Sequence, residues 1–374
     1  MNIAELVLAL LEVPAWVRPG AVTADADAVA AAVGAHIVPI IGDCGPDEIR
    51  IHPAGDVAAR FGPDRPDGLV LSTYVVAQHG DPDEQRPRLG EGRAGPVAIG
   101  RGAAQCRGAM ASAIAAVSRL GGDGRVPTRP AWLCVNTEAS SSHGGSKRIF
   151  DDLGVTGRAG VLMTGTDLRI SVANRGRVDV VVHVDGASCH SSQPELGDNP
   201  FARLGEVLDR LVTVELPEPH RSLGAVTVTP FAIRAVPVAP HSIPERLELT
   251  IDRRLLPGEQ PAAAVAAIAE ALHDVRGVRV DEGRHMLPAL VDVDDDIVTA
   301  LRSACVRRGG DGETMVSRNT FDAGYACAAG IPTPMFGPGR RHFDAGMLEP
   351  ESVAIADCAF AADVVSDTID ALCR

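Results

Sequence analysis

Two rhythms of apolar and polar positions divide the chain. Over residues 1–176, short and almost uninterrupted apolar runs at 68–76, 132–136 and 159–163 alternate with helical patterns at 3–11, 25–38, 104–120 and 146–152. Strands that are apolar on both faces belong to a parallel sheet covered by helices. Further strands are predicted at 48–52 and 97–102, and the Pro-, Gly-, Asp- and Arg-rich stretch 77–96 predicts a long surface loop. An open sheet of this kind binds ligands beyond the carboxyl ends of its strands, and Gln105, Glu138 and Thr164 fall at such ends.

From residue 177 to about residue 284 the rhythm changes. Strand 178–185, helix 200–213, strands 224–235 and 245–255, helix 260–275 and strand 278–282 give the order βαββαβ, that of a ferredoxin-like split unit. Helix–strand alternation then returns at 294–308, 322–329, 331–336 and 353–373. The expected architecture is α/β: a discontinuous catalytic domain, 1–176 and 285–374, with a mostly parallel sheet covered by helices, and an inserted βαββαβ domain at 177–284.

Composition narrows the options. A length of 374 residues holds two domains, and with aromatics at 3% the cores must be built from small aliphatic side chains. A net charge of −14 argues against nucleic acid, whose phosphates need clustered Lys and Arg. The eight cysteines are dispersed and include no Cys-x-x-Cys pair, so reduced thiols in a cytoplasm are expected. Glu5 and Glu12 bracket the apolar stretch Leu6 to Leu11, and no basic leader precedes it, which predicts a docking helix rather than a signal peptide. No apolar run approaches the roughly 20 residues that span a bilayer. A soluble cytoplasmic protein with no membrane or nucleic-acid partner is the expectation.

Between strand 178–185 and the following helix lies a polar loop, residues 186–200, carrying Cys189, His190, Ser191, Ser192, Pro194, Gly197 and Asn199. With Gly100-Arg101-Gly102, Asn174-Arg175-Gly176-Arg177, Asp252 and Arg254, Asp322-Ala323, Gly330-Ile331-Pro332-Thr333 and Gly337-Pro338-Gly339, it resembles the acetylornithine deacetylase, succinyl-diaminopimelate desuccinylase and aminoacylase family of dinuclear-zinc exopeptidases. The resemblance covers nearly the whole chain. It implies that the insert is a lid and dimerisation domain, that the chain is a homodimer, and that His190 reaches across the dimer to polarise a scissile carbonyl.

The family's metal positions are another matter. Its histidine-x-aspartate aligns with Tyr74 and Val76, its bridging aspartate with Gln105, its glutamate pair with Glu138 and Ala139, its carboxylate before the insert with Thr164, and its last histidine with the neighbourhood of Ala345, where His342 is an alternative. Two zinc ions need converging imidazoles and carboxylates, and at least four of the five ligands are absent. A displaced pair, His79 and Asp81, completed by His143 or His342, is the competing expectation of a rebuilt metal site.

Glu138 is the retained acid, and the resemblance gives it the role of proton shuttle; a cap of the turn that follows is the alternative. His190 offers a donor to a carbonyl or oxyanion, or else only shapes its loop. Asn199 contacts substrate or caps the next helix. Arg254 holds a substrate carboxylate through its planar fork, or pairs internally with Asp252 or Glu248. Cys106 stands beside Gln105 at a helix start, either as a nucleophile or as a small buried residue, and Cys189 is the weaker candidate.

The functional expectation is an enzyme that needs no metal or other cofactor and acts at a C–N amide of an acylated amino-acid-like small molecule, by hydrolysis or acyl transfer. Glu138 and His190 would be catalytic, while Tyr74, Gln105, Thr164, Asn199, Arg254 and His342 would contact substrate. The rivals are an inactive relative that binds a small molecule or partner, and a metallo-amidohydrolase with relocated ligands.

Overall fold

The computed structural model describes residues 2–17, 24–77, 86–93, 95–120, 127–138, 142–339 and 351–374. They form two compact units, one of residues 1–173, 289–316 and 322–374, the other of residues 174–288 and 317–321.

The larger unit is organised by four parallel strands. Ala131–Asn136 lies beside Leu69–Tyr74, which lies beside Ala159–Met163, which in turn pairs with Met335–Phe336. Every residue of Ala131–Asn136 and of Ala159–Met163 is buried, as expected of strands covered on both faces. Antiparallel strands extend the sheet at both sides, Glu48–Ile51 and Val57–Phe61 at one and Ile170–Asn174 at the other.

Small residues let the covering helices approach closely. Helix Gly108–Val117, of sequence GAMASAIAAV, packs against Ile355–Cys373, and the Ser112 hydroxyl donates to the Cys358 carbonyl at 2.9 Å. Arg107, buried, donates to the carbonyls of Val13 and Ala15 and so fastens the chain after helix Ile3–Leu11. Burial pushes its guanidinium pKa down.

Three sequence expectations need correction. The strand at 97–102 is not part of the parallel sheet: Gly95–Ile99 pairs antiparallel with Arg88–Gly92 and with Ser352–Ala354 in a separate sheet. Accordingly 88–92 is strand rather than loop. Its glycines signal close approach rather than a turn, since a Cβ at Gly90 would lie 2.8 Å from Ile99 Cδ1. Finally, the helix from residue 26 widens into a π turn at Val33–Ile37 just before Pro39, whose ring and missing N–H are incompatible with a regular α-helical ladder.

The smaller unit shows the βαββαβ order. Its antiparallel sheet runs Val228–Val236, Arg246–Leu255, Gly176–Asp185, Val278–Met286, with helices Phe201–Leu211 and Pro261–Ala271. Period-two alternation puts Val178, Val180, Val182 and Val184 on one face with Leu247, Leu249 and Ile251, where Val207 and Ile268 of the helices cover them. The intervening positions on these two strands are mostly charged or polar.

Ile251 is fully buried at the centre of this unit's core. Ile251→Ala is expected to lower unfolding free energy by about 2–5 kcal/mol in urea titrations, while Val238→Ala, at an exposed position, should change it by less than about 0.5 kcal/mol.

Candidate active site

The carboxyl ends of two neighbouring parallel strands and the turn before a helix bring three of the aligned residues to one place. Tyr74 ends its strand, Thr164 follows Met163, and Gln105 lies in the π turn Ala103–Arg107 that precedes helix Gly108–Val117. The Tyr74 hydroxyl lies 3.3 Å from the Gln105 carbonyl and 3.2 Å from Thr164 Oγ1, and Thr164 Oγ1 donates to that same carbonyl at 3.0 Å. Tyr74 and Thr164 are wholly buried and Gln105 nearly so. The turn depends on Gly102, whose φ of +78° favours glycine and whose carbonyl accepts from the N–H groups of Cys106 and Arg107. At its start the Glu351 carboxylate accepts from the N–H groups of Ala104 and Gln105, both at 3.2 Å.

These side chains do not fit two divalent cations. A phenol, a hydroxyl and an amide stand where carboxylates and an imidazole would be needed, and the phenol and hydroxyl already bond to each other and to a carbonyl. Ala139, His79, Asp81 and His342 lie outside the described residues. His143 is buried 3.8 Å from Asp322, whose carboxylate also accepts from Ser146 at 3.0 Å. Among the described residues no group of three or more His, Cys, Asp or Glu could hold a metal ion.

Glu138 follows strand Ala131–Asn136 and is held on both oxygens. Arg148 Nη1 donates to Oε1 at 2.9 Å and the Ser142 hydroxyl donates to Oε2. Arg148 also binds fully buried Asp56, which accepts from the Thr137 backbone at 2.9 Å and the Thr137 hydroxyl at 3.1 Å. Burial alone would lower the Arg148 pKa, but Asp56 and Glu138 outweigh it and raise it. Gly144 packs against the Glu138 carboxylate so closely that a Cβ would overlap it. Cys106 is fully buried, as the small-residue alternative for it expects.

In the smaller unit His190 is exposed. Its Nδ1 accepts from the Ser192 N–H at 3.2 Å and lies 2.8 Å from Ser192 Oγ, so in the neutral ring the proton resides on Nε2 and is available as a donor. The His241 ring stacks beside it with centroids 6.5 Å apart. Asn199 Oδ1 accepts from the Phe201 N–H at 3.1 Å, the helix-start role. Arg254 engages Asp252 in a fork, Nε–Oδ1 2.8 Å and Nη2–Oδ2 3.1 Å, and Thr320 Oγ1 at 2.9 Å. The internal pair therefore occupies the fork that a substrate carboxylate would use.

Arg148, Asp56, Ser142 and Glu351 were not foreseen. No spacing along the chain links Asp56 to Arg148 or Glu351 to Gln105; only the folded sheet joins them.

Residues 172–277 match the family profile of the M20 peptidase dimerisation domain. A putative succinyl-diaminopimelate desuccinylase of Mycobacterium tuberculosis is 28% identical over 205 residues, 52% of this chain and 53% of that protein. The chain thus aligns with about half the length of such curated relatives. Among solved structures, aminopeptidase PepT from Bacillus cereus superposes with a TM-score of 0.72 at 15% identity, covering 100% of this chain and 98% of the other. The M20 family metallo-carboxypeptidase Sso-CP2 from Sulfolobus solfataricus gives 0.74 at 13%, covering 100% and 99%. The insert thus matches the M20 peptidase dimerisation domain, and the whole chain shares its fold with these two peptidases.

The Asp56–Arg148–Glu138 network yields a prediction. Arg148→Met strands a buried carboxylate and should lower stability by about 3–5 kcal/mol. Glu138→Gln, at a partly exposed end of the network, should cost no more than about 1 kcal/mol. Urea titration of both variants checks the order.

Proposed function

We propose that the protein is an amidohydrolase or acyltransferase that acts without a metal ion on the C–N amide of an acylated amino-acid-like small molecule. One observation carries the reading. Tyr74 and Thr164, at positions the resemblance assigns to cations, bond to each other and to the main-chain carbonyl of Gln105, a third such position, yet Glu138 and His190 are both present. Without a Lewis acid, the carbonyl needs a hydrogen-bond donor and the attacking water or acceptor needs a base. The Nε2–H of His190 supplies the first and the Glu138 carboxylate the second, which then returns the proton to the leaving nitrogen. No helix among the described residues is long and apolar enough to cross a membrane.

A second reading has its own support. The grip of Arg148 and Ser142 on both Glu138 oxygens suits a structural anchor as well as a base, and favours an inactive relative that binds a small molecule or partner.

The two readings separate when the protein, dialysed against a strong chelator, is assayed on a panel of N-acyl amino acids. Turnover that survives chelation and falls by about 100-fold or more in both Glu138→Gln and His190→Ala supports the enzyme. Thermal stabilisation by a panel member with no product after long incubation supports the binding protein, and activity that appears only on adding zinc defeats both.

The same reading makes the protein a homodimer through the insert. Strand Val228–Val236 is at an edge of its sheet and exposes Phe231 and Ile233, features of an edge completed by a partner. Light scattering should give twice the chain mass, and Phe231→Glu with Ile233→Glu should give the monomer.

A further inference from the structure

The loop after Glu138 turns back onto it. Ser142 Oγ donates to Glu138 Oε2 and accepts from the Gly144 N–H at 3.1 Å. Two glycines make this return possible. A Cβ at Gly144 would lie 2.3 Å from Glu138 Oε1, and a Cβ at Gly145 would lie 2.8 Å from the Asn136 Cβ, so only bare backbone fits on the end of strand Ala131–Asn136. Beyond them Ser146 donates to buried Asp322 at 3.0 Å, and the Lys147 N–H donates to the His143 carbonyl at 2.8 Å. The Ser142 hydroxyl is thus placed by the packing of the residues that follow it as well as by its own bond.

The network behind that hydroxyl has a direction. Side-chain exposure rises from 0% at Asp56 through 19% at Arg148 to 30% at Glu138, and Ser142 is half-buried at the open end. One guanidinium serves both carboxylates. Arg148 therefore orients Glu138 without belonging to it alone, and the Glu138 carboxylate keeps its capacity to take a proton. Tyr74 lies opposite Asn136 in the parallel register, so Glu138 and Ser142 follow the strand at the same end of the sheet as the Tyr74 hydroxyl. A hydroxyl bonded to a base that a third group holds in place is the arrangement that activates a nucleophile.

We propose that Ser142 is a nucleophile that carries the acyl group as an ester between two halves of the reaction, with Glu138 as the base of both and Arg148 as the positioning residue. This rests on the amide reading above and adds the first acceptor to it. Glu138 Oε2 takes the Ser142 proton as Oγ bonds to the acyl carbon; the C–N bond then breaks, and the leaving nitrogen takes that proton from Glu138. In the second half a water or an amine gives a proton to Glu138 and bonds to the acyl carbon. The bond from that carbon to Oγ breaks, and the proton returns to Ser142. Hydrolysis and acyl transfer differ only in which second nucleophile arrives.

The probe is p-nitrophenyl acetate, mixed with the full chain after dialysis against a chelator. A burst of about one p-nitrophenolate per chain is expected, with one acetyl group located on Ser142 by peptide mass spectrometry. Ser142→Ala and Glu138→Gln should each slow the burst by at least about 100-fold. Ser142→Cys should acylate as a thioester that hydroxylamine releases, whereas a residue that only props Glu138 would leave no adduct. Ser118→Ala, at an exposed serine that ends helix Gly108–Val117, should behave as the parent does. No burst from the parent, a burst unchanged in Ser142→Ala, or an acetyl group found only on Lys147 or another side chain would overturn the proposal. Turnover of N-acyl amino acids that survives in Ser142→Ala removes the ester and leaves Glu138 acting directly on water. An adduct on Ser142 in a chain that turns over none of those amides supports the nucleophile and removes the substrate class instead.

Discussion

The larger unit turns on one constraint: two strand ends and the start of a helix must be tied together where the sheet opens. Divalent cations accomplish this with charged ligands, because a cation gains from every carboxylate that converges on it. Here a single carbonyl does the joining. The Gln105 carbonyl receives the hydroxyls of Tyr74 and Thr164, so side chains from two neighbouring strands and the main chain before a helix meet with no net charge. Buried polar groups are inexpensive only when satisfied, and these bonds contribute to that.

Charge reappears beside the triangle in a different form. Fully buried Asp56 is matched by Arg148, and Arg148 extends to Glu138. Asp56 is additionally held by Thr137, so it is paired and hydrogen-bonded as a buried carboxylate must be. Glu138, here proposed as the proton carrier, is thereby also part of the packing around the strand end, and the two roles draw on the same contacts. The insert behaves similarly, since Arg254 is held by Asp252 and Thr320.

The architecture was largely legible in the sequence because burial writes itself as periodicity. Runs such as 69–74 and 159–163 admit little besides covered parallel strands, and alternation in 178–185 and 246–255 marks one-sided ones. What escaped notice was structure whose cause lies elsewhere in the chain. Strand Val57–Phe61 is short and interrupted by Arg60, and Arg88–Gly92 looks like a loop until Ile99 and Val97 are seen to press against its glycines. Of the site, the places of Tyr74, Glu138 and Thr164 could be read from strand ends, whereas Gln105, expected at one, lies in the π turn before a helix. The partners of Glu138 could not, because Arg148 and Asp56 acquire their roles only through tertiary contact. Nor could the closed forks of Arg254 and the cap of Asn199 be chosen over substrate roles that the same side chains equally allow.

The central claim is that these strand ends hold together without cations, and metal content tests it most directly. The protein is purified, saturated with zinc, dialysed against metal-free buffer and analysed by elemental mass spectrometry. The account predicts well below one equivalent of bound zinc per chain and an unfolding midpoint insensitive to zinc. One or two equivalents retained per chain, with the midpoint rising accordingly, would contradict it.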